Sequence, residues 1–459
     1  MSKREQALWL DQLPEAFQTY RAGRNIDEVE CIIPDLTGIS RGKAMPLSKF
    51  SPDGALFLPI SIFYQTITGN DVELGIDNQW AEGDMTLQAD MSTAMAVPWA
   101  KKATLQIIHD LVDHDGNPIV HAPRNVLKRV IETYRKKGWQ PIVAPELEFY
   151  LIKPNVDPNE PIQPPVGRTG RKGSGSQSYS MAAVDEYGPV IDTIYDYAAD
   201  AGLEIDTIIQ EDGAGQIEIN LSHGDPLLLA DQVFYFKRII REAALNNGMF
   251  ATFMAKPMRD EPGSAMHIHQ SVIDIETGKN IFSNEDGSAS ELFMNFIGGT
   301  QKHLLEVMPF FAPNVNSYRR FVSDNNSSAP TNMAWGYDNR ATGLRVPNSK
   351  AHDRRLENRI VGIDSNPYLA LAASLICGYL GMVNKVQPTD PCMGEIEDDD
   401  AALPTTLDEA LSVYEEATEL HEALGKEFCH VFGEVKRQEL REFHREISPW
   451  EREHLLLNV

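Results

Sequence analysis

The stretch Pro141-Ile-Val-Ala-Pro-Glu-Leu-Glu-Phe-Tyr-Leu151 decides how this chain is read. Its apolar and polar residues alternate, which is the period of a β-strand with one face buried. Side chains two apart on a strand point the same way, so Glu146 and Glu148 share one face and the apolar residues take the other. Three further stretches have the same texture. Gln210-Glu-Asp-Gly-Ala-Gly-Gln-Ile-Glu-Ile-Asn220 puts Glu218 on a face with Gln216 and Asn220, and Glu211 precedes its Gly-rich bend. Gly263-Ser-Ala-Met-His-Ile-His-Gln-Ser271 pairs His267 with His269. Arg355, Glu357 and Arg359 alternate in the fourth stretch. Unpaired charge is costly to bury, so these faces either meet water or meet each other around ions and a charged substrate. Carboxylates with one imidazole at such spacing could hold two divalent cations, Mg²⁺ or Mn²⁺, which prefer oxygen ligands. Taken singly, each pattern also fits a solvated face or a salt-bridge ladder.

Outward from these strands, the chain divides near residue 113. Before it lie strand-like runs at Val29–Ile33, Gly54–Ile62, Ala94–Pro98 and Thr104–Leu111, behind a short amphipathic helix carrying Leu8, Leu10, Leu13 and Phe17. After it, strands alternate with long helices. One helix opens at His121-Ala122-Pro123, with Leu127, Val130, Ile131 and Tyr134 on one face and a stop at Gly138. Another opens at Asp225-Pro226, with Asp225 as N-cap, and ends near Gly248. Strands are expected at 140–152, 249–256 and 264–273, a long loop at 153–178, an acidic loop at 394–400 and helices from 405 to about 445. Pro367–Val383 is the longest apolar run and reads as a buried helix, being short for a membrane span.

Composition bounds the function. The chain has 459 residues, 42% hydrophobic and 24% charged, enough apolar residues for a sizeable core. With 41 Lys and Arg against 67 Asp and Glu, its net charge of −26 suits metals or amines and is a poor match for a nucleic-acid backbone. Four cysteines without a CxxC pair, and no apolar leader, lead us to expect a reducing, cytoplasmic setting. Asn316-Ser-Tyr-Arg-Arg320 and Asn339-Arg-Ala-Thr-Gly-Leu-Arg345 add guanidinium groups suited to carboxylate or phosphate. Metals and arginines around a negative centre suit phosphoryl transfer, and neither a P-loop nor a Rossmann fingerprint is present.

Together these motifs, with Asn366-Pro-Tyr-Leu369, resemble the glutamine synthetase family in order and spacing over nearly the whole chain. The resemblance implies an α+β architecture: an N-terminal β-grasp domain (1–113) and a glutamine synthetase-type α/β catalytic domain (114–459). It implies a double-ring dodecamer with sites between subunits, and ATP-dependent amide formation through γ-glutamyl phosphate. By motif, Glu148, Glu211 and Glu218 correspond to ligands of one metal, and Glu146, His267 and Glu357 to those of the second. Gly263, Arg320 and Arg359 correspond to the glutamate-binding set, Arg340 and Arg345 to residues on the transferring phosphate, and His269, Ser271 and Arg345 to nucleotide contacts.

The departures concern ammonium. The family's acidic D-G-S-S segment is replaced by Phe57-Leu-Pro-Ile-Ser61, and its flap Glu is missing from Phe321-Val-Ser-Asp-Asn-Asn-Ser-Ser-Ala-Pro330, where Asp324 is the one acid. The pattern therefore resembles the γ-glutamylpolyamine synthetases, with putrescine or spermidine as nucleophile. Asp324 is a candidate base or partner for a distal charge, or simply a solvated loop residue. The alternatives are ordinary glutamine synthetase, a ligase for another small amine, and a catalytically silent assembly.

Overall fold

A computed structural model describes residues 9–76, 79, 83–322, 329–394, 396 and 402–459. Fourteen strands form two sheets among these residues. Strands β1 (Ile26–Pro34), β2 (Ser40–Pro46), β3 (Leu56–Pro59), β4 (Asp84–Ala89), β5 (Met95–Ala96) and β6 (Ala103–Val112) make the first. Its order is β2-β1-β6-β4-β3, with β5 also on β6. β1 and β6 run parallel and the other pairs antiparallel.

The expected strand at 54–62 is cut short because Pro59 ends β3 and a 3₁₀ turn, Ile60–Tyr64, follows. The leading helix is interrupted: Trp9 and Leu10 are helical, the chain turns at 11–13, and after Pro14 helix α1 (Glu15–Arg21) follows, burying Phe17 and Tyr20. Leu8 lies outside the described residues, as does most of the acidic run 394–400.

The second sheet comprises β7 (Trp139–Ile152), β8 (Ile205–Gln210), β9 (Gln216–Leu221), β10 (Phe250–Thr252), β11 (Ile268–Asp274), β12 (Trp335–Tyr337), β13 (Leu344–Val346) and β14 (Leu356–Asn358). Its order is β12-β13-β14-β11-β7-β9-β8, with β10 on the far end of β7. β7 is the stretch from which the reading began. Val143 and Leu147 are fully buried on one face, as that alternation requires. Expected strands at 249–256 and 264–273 contract to β10 and β11, since the chain between them leaves the ladder through Pro257 and Pro262-Gly263.

Helices cover the apolar face. α2 (Pro123–Arg135) and α4 (Pro226–Asn246) pack on β7, and α3 (Gly188–Ala201) packs on α4. Asp225 caps α4 by accepting from the Leu227 and Leu228 amides at 2.9 and 3.2 Å. α6 (Pro367–Asn384) crosses α5 (Glu291–His303) closely. A Cβ on Gly299 would stand 2.3 Å from the Cα of Gly381, so this crossing requires glycine on both helices. Among the described residues, α6 is the one helix long and apolar enough to cross a membrane, but 83% of it is buried in the protein. The Ser374 hydroxyl of α6 accepts from Gln270 on β11 (2.9 Å) and Asn358 on β14 (3.1 Å). The C-terminal region folds as α7 (Leu407–Glu415), α8 (Thr418–Leu424) and α9 (Lys426–Phe443).

An ion network joins the two sheets' surroundings. Arg124 on α2 grips Asp231 of α4 through two hydrogen bonds, 3.0 and 2.9 Å. It also reaches Asp110 (2.6 Å) and Asp90 (2.7 Å) beside the first sheet. Tyr368 donates its hydroxyl to Asp231 at 2.7 Å.

Candidate active site

The polar face of the second sheet lines a cavity of about 690 Å³. Register explains how distant sequence motifs meet there. Glu148 on β7 lies directly across from Glu218 on β9, and Glu146 across from Asn220. His269 on β11 pairs with Glu357 on β14, which pairs with Arg345 on β13. The six candidate metal ligands Glu146, Glu148, Glu211, Glu218, His267 and Glu357 all line the cavity. So do Gly263, His269, Arg320, Arg340, Arg345 and Arg359. Ser271 is two residues beyond His269 and is not among the lining residues. Asp324 lies outside the described residues.

Glu146 is the hub. Its two oxygens lie 3.1 Å from His267 Nδ1 and 3.0 Å from His269 Nε2. Burial pushes this carboxyl up, but the two imidazoles outweigh it and hold the group well below the usual range. Glu148 turns one oxygen to the Ala265 amide (2.8 Å), while the other lies 3.7 Å from His267 Nδ1. Gln216 braces that corner, donating to the Gly263 carbonyl at 3.0 Å.

Glu211 and Glu218 behave oppositely. Burial, then repulsion chiefly from Glu148, pushes Glu211 up to about 7. Burial, then repulsion from Glu146, Glu148 and Glu211, pushes Glu218 up to about 9. Carboxylates gathered so tightly lack positive charge, which a divalent cation would supply. Ligand atoms of Glu146, Glu218 and His267 lie within 4.8 Å of one another, as do those of Glu146, His269 and Glu357. The donor set therefore fits divalent ions. These groupings divide the ligands differently from the motif correspondence, with Glu146 in both and His269 in one.

The arginines form the opposite wall. Glu357 accepts from both Arg345 (2.9 Å) and Arg359. Burial raises this carboxyl, and the Arg359 charge and nearby imidazoles bring it below its usual range. Arg320 is buried and donates to the Ile360 carbonyl at 2.9 Å. Gly263 must be glycine, since a Cβ there would lie 2.5 Å from Arg320 Cγ. Among the described residues, the Nε atoms of Arg345 and Arg359 are buried without a hydrogen-bond partner. Arg340 is exposed, lines the cavity, and has no hydrogen-bond or ion-pair partner among those residues. Guanidinium groups with spare donors suit an incoming oxyanion.

Tyr179, Asp212, Asp338 and Arg355 also line the cavity and were assigned no role from sequence. Arg355 donates to His269 Nδ1 at 3.1 Å, leaving the other ring nitrogen toward Glu146. Its place in the alternating Arg-Glu-Arg row was the available signal. Tyr179 has a left-handed backbone (φ 62°), which no local sequence pattern reveals.

Residues 120–455 match the family described as "Glutamine synthetase, catalytic domain". The chain belongs to the glutamine synthetase family. Within that family it is 35% identical over 441 residues to gamma-glutamylputrescine synthetase PuuA of Escherichia coli, covering 95% of this chain and 93% of that one. It is 33% identical over 444 residues to a glutamate–isopropylamine ligase of a Pseudomonas species, covering 93% and 94%. A solved structure titled "Apo GmaS without ligand" superposes with a TM-score of 0.81 at 25% identity, covering 97% of this chain and 99% of the other.

Proposed function

We propose that this protein is an ATP-dependent glutamate–amine ligase, joining glutamate to an amine as a γ-glutamyl amide through γ-glutamyl phosphate. The observation that carries this reading is the single cavity in which a carboxylate–imidazole wall faces an arginine wall. The relatives' names support the ligase class.

Glu146, Glu148, Glu211, Glu218, His267 and Glu357 would hold two divalent ions, Mg²⁺ or Mn²⁺, with His269 turned toward the second. When bound, such ions neutralise phosphate charge and polarise the γ-phosphorus. Arg320, Arg359 and the Gly263 carbonyl region hold glutamate with its γ-carboxylate presented. Arg340 and Arg345 balance charge on the transferring phosphoryl, and His269, which lines the cavity, is assigned to the nucleotide together with Ser271, which does not line it. A glutamate γ-oxygen attacks the γ-phosphorus and ADP leaves. The amine nitrogen then attacks the acyl carbon, phosphate leaves with the bonding pair, and the nitrogen sheds one proton. Asp324 is the candidate acceptor of that proton.

The nucleophile we favour is a polyamine such as putrescine or spermidine. Phe57-Leu-Pro-Ile-Ser61 offers no acid for ammonium, and Phe57 is 43% exposed. A second reading, a small alkyl monoamine, rests on the 33% identity to the isopropylamine ligase. The same proposal takes 1–113 as a β-grasp domain, supported by its mixed six-stranded sheet, and 114–459 as the catalytic domain. It takes the protein as a cytoplasmic double-ring dodecamer.

The test is phosphate release from ATP and glutamate with ammonium, putrescine, spermidine and isopropylamine at equal concentration. Putrescine or spermidine turning over fastest is the expected result. Isopropylamine fastest moves the assignment to the second reading. Ammonium fastest overturns both.

A further inference from the structure

A second cavity, about 610 Å³, shares no lining residue with the first and lies among α4, β10 with Phe253 and Met254, the turn Thr37–Ser40, Asn314, Asn316 and Asp364. Nearly as large as the catalytic cavity, it differs in charge. Three cations of α4 line it: Lys237, Arg238 and Arg241.

Their partners differ. Arg238 is neutralised by Glu30 at 2.8 Å. Lys237 is buried and spends two N–H groups on the carbonyls of Ile363 (2.6 Å) and Ser365 (3.0 Å). Burial pushes its ammonium down to about 7. Arg241 has no carboxylate or hydrogen-bond partner among the described residues, and its guanidinium stacks over Phe253 at 4.8 Å from the ring centre. The opposing acid is Asp364, whose Oδ2 accepts from Asn314 (2.7 Å) and Ser317 (2.6 Å). Its Oδ1 is buried with no hydrogen-bond partner among the described residues.

A stacked guanidinium keeps its planar donor edge free, and that edge matches two oxygens of one carboxylate. With Asp364 already in the cavity, the charge left uncompensated suits a monoanion better than a dianion. Phe234 and Phe253 with Met254 and Ile39, both partly exposed, offer an apolar lining for the body behind the charge. In a chain of net charge −26, this uncompensated positive cavity stands out.

We propose that this cavity is a binding site for a small organic monocarboxylate with an aromatic or branched apolar body, its carboxylate held bidentate by Arg241. The proposal does not depend on which amine the ligase takes, and the cavity's lining includes none of the residues that line the catalytic cavity.

Phenylacetate is a suitable probe, measured by calorimetry and ligand-observed NMR on the full-length protein with saturating glutamate and a non-hydrolysable ATP analogue. Those ligands fill the catalytic cavity, so a retained signal belongs elsewhere. Saturable binding is expected, weakened at least tenfold by Arg241→Gln and abolished by Met254→Trp, which fills the cavity. Both side chains are exposed in part, and both variants are expected to keep ligase turnover. Arg241→Lys should bind less tightly than wild type because it loses the fork. Absence of saturable binding up to 10-millimolar order, displacement by glutamate, or affinity unchanged in Arg241→Gln would each overturn the proposal.

Discussion

Replacing Arg124 with Met should destabilise the protein chiefly through the carboxylates it leaves behind. Arg124 and Asp231 side chains are each only 4% exposed, whereas Asp90 and Asp110 are about a quarter exposed (25% and 23%). Asp110 keeps Lys128, and Asp90 meets water. Asp231 keeps only the Tyr368 hydroxyl. Removing one partner of a buried pair typically costs about 3–5 kcal/mol. Unfolding entropy of about 2.1 cal/mol/K per residue, over 459 residues, makes about 4 kcal/mol worth roughly 4 °C in Tm. Adding Asp231→Leu removes the stranded charge, leaving an unpartnered Tyr368 hydroxyl worth about 1–3 kcal/mol. The double variant should therefore be more stable than Arg124→Met alone. Burial already raises the Asp231 carboxyl even beside Arg124. Without the arginine it rises further, so the single variant's deficit should shrink from pH 8 to pH 5 as Asp231 takes a proton. Differential scanning fluorimetry of the wild type, the single variant and the double variant across that range decides it. A double variant no better than the single, or a deficit independent of pH, would refute the stranded-charge argument.

Glu218→Gln should abolish the Mg²⁺- or Mn²⁺-induced rise in Tm and cost most of the turnover, which metal titrations by calorimetry and phosphate release will show. Arg340→Ala should lower kcat by about 10²–10³-fold with a small change in the amine KM, because the arginine acts on charge present in the transition state; near-normal turnover would remove it from that role. His109 and His121 are both pushed down to about 4, mainly by burial. The folded state thus binds fewer protons than the unfolded, and each residue withdraws up to about 3 kcal/mol as pH falls from 6.5 to 4. His121→Phe, which keeps the ring against Tyr64, should flatten that acid limb in a Tm–pH series. Gly381→Val should yield insoluble or unfolded protein, since even a Cβ there lies 2.1 Å from the Asn295 carbonyl oxygen.

Much of the catalytic sheet was legible because burial of one face imposes alternation, which β7 and β9 display openly. Asp225 and the apolar run of α6 were legible for equally local reasons. Register was not. Nothing in Glu148 or Glu218 alone says that they stand opposite each other, or that His269 faces Glu357. The Arg-Glu-Arg row illustrates the limit. β14 spans only Leu356–Asn358, so Arg355 and Arg359 leave from its ends, one toward His269 and one back onto Glu357. No element was expected at helix α5, whose Gly298-Gly299 pair is a poor helix signal that the close passage of α6 requires. The Arg241 cavity left no trace in sequence, because its lining comes from segments more than 300 residues apart.

Ser374 and the glycines of α6 also set an order of events during synthesis. The helix that locks β11 to β14 and seats against α2, α4 and α5 is among the last pieces made. A ribosome adds about 5–20 residues per second. Between the end of α5 and the end of α6, then, roughly 4–16 s pass in which a nascent chain holds earlier strands and helices with their shared groove open. That groove is apolar and so is the helix that fills it, so both invite wrong partners until the keystone emerges. A chain cut just before residue 367 would lack that keystone altogether, and the residues of the carboxylate wall, although all already translated, would remain uncollected.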